Sequence, residues 1–151
     1  MLTNTTGANN VAVGHEALEA NTTADNNTAI GYQALKDNTT GANNAALGHS
    51  ALANNTTGSA NNAVGQNSLV SNTTGVYNLS FGQSSLEANT TGSENIAIGH
   101  QALYTATTVD DNIAIGFKAL RANTTGNRNV GIGVSALVAN TTGASSVAVG
   151  H

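Results

Sequence analysis

The residues of this chain with chemical potential are four histidines, a recurring Asn-Thr-Thr triplet and a few scattered acids. His15, His49, His100 and His151 fall at equivalent places of a repeat, which Tyr32, Gln66, Gln83, Phe117 and Val134 fill elsewhere. The nearest pair, His15 and His49, is two repeats apart, about 9.6 Å if the repeats stack as strands. Zinc–nitrogen bonds of about 2.0–2.1 Å cannot span that gap. A metal would require several chains to bring one histidine level together, so surface or interface histidines are expected and no metal is assigned. Asn4, Asn21, Asn38, Asn55, Asn72, Asn89, Asn123 and Asn140 each open a glycosylation sequon. Sugars on coils less than about 5 Å apart would collide, so these residues read as corner and ladder positions. Asp110-Asp111 belongs to the most divergent repeat and reads as an exposed corner, and the Gly-Gly-x-Gly-x-Asp calcium pattern is absent. No serine, histidine and acid form a nucleophilic set, and a rigid stack offers no cleft. The expectation is a protein that is not an enzyme and carries no cofactor.

The element that positions all of these residues is a strict 17-residue period. Gly14 recurs without a slip at Gly31, Gly48, Gly65, Gly82, Gly99, Gly116, Gly133 and Gly150. Leu18 recurs at Leu35, Leu52, Leu69, Leu86, Leu103, Leu120 and Leu137. Asn10 recurs at Asn27, Asn44, Asn61, Asn78, Asn95, Asn112 and Asn129, and Thr5-Thr6 repeats in all nine copies. Asn4 fails once, at Ala106, and Gly7 fails at Ala24 and Val109. A fixed period without insertions implies like units stacked in line, a single array over 1–151 without a globular domain.

Composition agrees with an ordered array. Charged residues make up 8%, against about 25% in ordinary globular proteins. A net charge of −4 without a basic cluster leaves no footprint for nucleic acid. Disorder would combine high net charge with few apolar residues, whereas 39% here are apolar and periodic. No apolar run approaches the roughly 20 residues that span a bilayer, so no membrane insertion is expected. There is no cysteine to form a disulfide and no proline to interrupt a ladder. Met1-Leu2-Thr3-Asn4 shows neither a charged n-region nor an apolar h-region of a signal peptide.

Within a unit, Val11 to Gly14 reads as a short strand. The residue before each glycine is large and apolar, and the one before that is Ala, Ser or Gly. Alternation puts the two columns on opposite faces. The expected core is therefore Val13, Ile30, Leu47, Ile98 and Ile115 against Leu18, Leu35, Leu52, Leu103 and Leu120. The expected close-packing face toward symmetry mates is Ala12, Gly14, Ala29, Gly31, Ala46 and Gly48, where small residues would admit another backbone. Asn10, Asn27, Asn44, Asn61, Asn78, Asn95, Asn112 and Asn129 read as an internal amide ladder, and Thr5 and Thr6 as hydroxyl ladders. Glu16 to Ala20 could be a strand or one helical turn. The fold class is all-β: a parallel β-solenoid, or β-roll, of nine 17-residue coils about 43 Å long.

The motif Asn95-Ile96-Ala97-Ile98-Gly99-His100-Gln101-Ala102-Leu103 resembles the head repeats of trimeric autotransporter adhesins. With its Ala-Leu-x-x-Asn-Thr-Thr-Gly tail, the whole unit is more closely similar to arrays of phage tail-fibre-like proteins. The resemblance implies a trimeric, left-handed β-roll on a virion or cell surface, extracellular, with any host receptor engaged through flanking domains. Adhesin head repeats are shorter than this one, so their coil geometry does not carry over.

Two functions follow as expectations. One is a structural shaft or adhesive fibre segment that acts as a rigid spacer. The other is ice binding through a flat Thr/Asn face, which would need Asn4 and Thr6 side by side, since adjacent Thr5 and Thr6 cannot both face outward from a strand. Met1 falls in the leucine column, and neither end carries a polar capping repeat, so the chain is expected either to be a segment of a longer array or to stack head to tail into filaments.

Overall fold

A computed structural model describes residues 3–151; Met1, and with it the expected place of Met1 in the leucine column, lies outside the described residues. Nine three-residue strands stack in chain order into one parallel sheet: β1 (Val11–Val13), β2 (Thr28–Ile30), β3 (Ala45–Leu47), β4 (Asn62–Val64), β5 (Leu79–Phe81), β6 (Ile96–Ile98), β7 (Ile113–Ile115), β8 (Val130–Ile132) and β9 (Val147–Val149). The register is one repeat throughout, with Ala12 beside Ala29 and Ala46 beside Ala63. The protein is an all-β parallel solenoid, with no helix among the described residues.

Hydrogen bonds run along the stack well beyond the strands. Thr28 N donates to Asn44 O (2.8 Å), Leu35 N to Ala51 O (2.9 Å) and Thr39 N to Thr56 O (2.9 Å). Each coil therefore leaves few amides of its own to solvent, and the cost of burying peptide groups is met by the neighbouring coil. The Asn-Thr-Thr-Gly corner adds a side-chain clamp: Asn38 Nδ2 donates to Gly41 O three residues on (2.9 Å) and Asn55 Nδ2 to Asn38 Oδ1 one coil away (2.8 Å). Beside it, Thr39 Oγ1 donates to Thr56 O (3.0 Å).

The segment after each strand is neither strand nor helix. Glu16 and Leu18, like their equivalents in later coils, adopt left-handed backbone conformations (φ 56° and 52°). Two such residues separated by one ordinary residue reverse the chain tightly. Ala17 and Leu18 thus both point inward, and both are buried. A bulky residue in that region costs about 1–2 kcal/mol, which burial of a leucine side chain, worth about 1.5–3 kcal/mol, offsets.

The core differs from the expected one. Leu18, Leu35, Leu52, Leu103 and Leu120 are fully buried. Their partners are not the Val13 column but the Ala12 and Ala17 columns, which join them in one continuous cluster. Val13 (55%), Ile30 and Leu47 (47%) are exposed, and Ile98 and Ile115 are half-buried on the outer side. The reason is the width of the coil. A Cβ added at Gly131 would lie 3.2 Å from Leu120 Cγ, so the strand already touches the leucine row. One large side chain per coil fills the interior, and the inward strand position must be Ala, Ser or Gly.

The expected close-packing face is corrected for the same reason. Ala29 and Ala46 are buried inside the coil and Ala12 partly so, facing leucine rather than another chain. Gly14, Gly31 and Gly48 do meet a close backbone, but it is that of the next coil of the same chain. A Cβ on Gly48 would stand 2.7 Å from Gly65 O, and its φ of 137° disfavours any other residue.

Candidate functional site

Inverting the strand leaves an unusual surface. Positions on either side of the inward alanine face out, so two ranks of side chains run the length of the sheet. The rank at the last strand position is Val13, Ile30, Leu47, Val64, Phe81, Ile98, Ile115, Ile132 and Val149, without exception apolar. Its companion rank holds Val11, Leu79, Ile96, Ile113, Val130 and Val147 among smaller or polar residues. Val11, Phe81 (54%) and Ile132 are exposed. From β1 to β9 the face extends about 38 Å, at about 4.8 Å per strand. Single exposed aliphatics are normal on a protein surface, whereas a contiguous stripe of this kind marks an interaction surface.

The histidine rank borders this stripe at the corner after the strand. His15, Tyr32 and His49 stack ring on ring, with centroids 5.4 and 4.9 Å apart. His100 stacks on Phe117 at 5.6 Å, and Lys118 Nζ sits 4.8 Å from the Phe117 ring. Next to His15, Glu16 accepts a hydrogen bond from Gln33 (2.7 Å) and pairs with Lys36 (3.1 Å). The Gln33 hydrogen bond, and then Lys36, hold the Glu16 carboxyl below the ordinary glutamate value; the same contact holds Lys36 above the ordinary lysine value. Among the described residues no three His, Asp or Glu side chains gather into a metal-binding group, and no cavity opens.

The asparagine column lies inside the coil. Asn27, Asn44, Asn61, Asn78, Asn95, Asn112 and Asn129 are buried, and Asn10 is partly so. The bonding is richer than amide to amide. Asn61 Oδ1 accepts the backbone N–H of Asn78 (3.0 Å), while Asn61 Nδ2 donates to Gly75 O (2.8 Å) and Asn44 Oδ1 (3.2 Å). The sequon asparagines Asn21, Asn38, Asn55, Asn72, Asn89 and Asn123 are likewise buried. The sequon asparagines therefore do not stand beside the Thr6 column as an outward rank. The Thr5 column spends its hydroxyls on the next coil, half-buried at Thr39, Thr56 and Thr73 and exposed at Thr107 and Thr124, while the Thr6 column, with Thr40, Thr57 and Thr74, stands exposed.

Reasoning from columns missed one buried group. Ser68, Ser80 and Ser85 replace alanine at inward positions of neighbouring coils and are all buried. Ser68 Oγ lies 2.7 Å from Ser80 Oγ and donates to Ser80 O at 3.1 Å; Ser85 Oγ donates to Gly82 O at 3.0 Å. The signal was there: the two alanine columns change to serine at the same level. These hydroxyls bond one another and reach no surface, so they brace the core. The chain matches no protein-family model, and no curated protein or solved structure matches it.

Proposed function

We propose that this protein is a structural shaft, a rigid segment of a phage tail fibre or surface adhesin. In this reading three copies pack through the outward apolar ranks into a trimer. The left-handed winding and the place on the outside of a virion or cell follow from the resemblance of its repeats. Host-receptor contact belongs to flanking domains, and the array holds them at a fixed distance.

The carrying observation is the uncharged apolar rank on all nine strands. A face with a fixed period of about 4.8 Å is best matched by a surface of the same period. Another copy of this chain supplies one, level by level, in a closed symmetric arrangement. The ladder also supports a load-bearing role, because each coil is bonded to the next around its perimeter.

Light scattering tests the reading. The native chain should give about three times the 15.0 kDa chain mass, and Leu47→Asp with Ile98→Asp should give a folded monomer. A native monomer at high concentration would refute it. Electron microscopy at rising concentration then shows whether the rods also join end to end. Ice binding has the single Thr6 rank in its favour, and thermal hysteresis of the purified protein measures it directly.

A further inference from the structure

The apolar face carries a second property, in its charge pattern. None of the Asp, Glu, Lys or Arg residues of the chain falls at the five positions from Val11 to His15 or at their equivalents in the other repeats. The charged residues sit elsewhere on the coil, as at Glu16, Lys36, Asp110 and Arg128. The titratable groups left on this side are His15, His49, His100, His151 and Tyr32. Histidine is the side chain whose charge ordinarily changes between about pH 5 and pH 8.

We infer that the histidine rank makes association through the apolar face pH-dependent: the copies assemble while the rank is neutral and separate, with their coils intact, when it is protonated. This rests on the self-association reading above. Burying the face removes water from the rank, and desolvation disfavours the charged imidazole. Symmetric, in-register packing also sets each histidine level beside the same level of its partners, so protonation brings like charges together.

The neighbours of each ring bear on how strongly it acts. His15 Nδ1 lies 3.7 Å from the Glu16 carboxylate, which Lys36 and Gln33 already engage, and its ring lies on Tyr32. That acid partly offsets a charge at His15. His49 stacks on the other face of Tyr32, and its Nδ1 is 3.0 Å from the Ser50 hydroxyl. His100 stacks on Phe117, whose ring also carries Lys118, and its Nδ1 is buried without a hydrogen-bond partner. His151 is exposed at the last coil. Of the four histidines, all described, only His15 is paired with an acid. The separated chain therefore takes up more protons than the assembled one, and by linkage association weakens as pH falls.

Sedimentation equilibrium of the full chain at pH 8 and pH 5, at fixed salt, tests this beside the variant carrying His15→Gln, His49→Gln, His100→Gln and His151→Gln. Glutamine already occupies the rank at Gln66 and Gln83, so the coil accommodates it. Native association should weaken by about tenfold or more at pH 5, with an unchanged far-ultraviolet circular dichroism spectrum. The glutamine variant should change by less than about twofold. A native oligomer equally strong at both pH values overturns this inference alone. So does parallel weakening of the glutamine variant, or loss of strand signal in the native protein at pH 5. A native monomer at pH 8 overturns the self-association reading and this inference with it.

Discussion

Buried polar side chains in this solenoid work in sets, and the exceptions show why. Ser68, Ser80 and Ser85 satisfy one another inside an otherwise apolar row. Removing one partner strands the others, whereas removing all three restores the alanine core of the other coils. Ser80→Ala alone should cost about 1–2 kcal/mol in denaturant unfolding, and the triple alanine variant should return to within about 0.5 kcal/mol of the native protein. Additive costs across the three would show that the hydroxyls do not act as a unit. The corner ladder has a matching exception. Where Ala106 replaces asparagine, Asn89 Oδ1 is left buried without a donor. Val109, which stands in the glycine position of the same corner, is buried with Ala106 in the core cluster. Where Ala24 replaces the glycine, the amide contact from Asn38 to Asn21 stretches to 3.3 Å, against 2.8 Å between Asn55 and Asn38.

At the scale of the element, the inward leucine and the outward apolar side chains of a coil answer to different measurements. Leu69 is fully buried between the rows of small inward residues, so Leu69→Ala leaves a cavity and should cost about 2–5 kcal/mol at any protein concentration. Leu47 is half exposed in the single chain, so Leu47→Ala should cost less than about 1 kcal/mol in dilute solution. Its effect belongs to concentrated samples, where association buries the face. Chemical denaturation at two protein concentrations separates the cases. Equal costs for the two substitutions would contradict the facing described above. The strands are only three residues long, so neither local propensity nor the sheet alone holds them. Left-handed residues at Glu16 and Leu18 close each coil, and the leucine they deliver anchors it.

At the scale of the whole molecule, the stack behaves as a one-dimensional array in which each coil touches its neighbours. Deleting residues 38–54 removes one full period and rejoins like positions, so the product should fold with one strand fewer. Its denaturant m value should fall by about one ninth, together with some stability. A deletion one residue shorter puts every later side chain one position out of column and should abolish cooperative unfolding. Circular dichroism during urea titration reads both outcomes. Equal behaviour of the two deletions would mean that the columns do not act as continuous ladders.

The period, the parallel in-register stack, the inward leucine row and the position of the Asn10 ladder were legible in the sequence. They follow from repetition, because like residues at a constant interval must meet when the chain stacks on itself. The corner was legible too, from Asn-Thr-Thr-Gly. Which side of the strand faces in was not. Alternation separates Ala12 from Val13 but carries no sign, and the larger apolar residue is the natural choice for a core. Only the closed coil decides, because its interior has room for one large side chain and Leu18 takes it. The reversal that carries Leu18 inward was equally hidden, since paired left-handed residues have no period of two or of 3.6 to betray them. The tertiary structure therefore turned the aliphatic column from filling into surface, and with it moved the candidate site from the alanine face to the valine face.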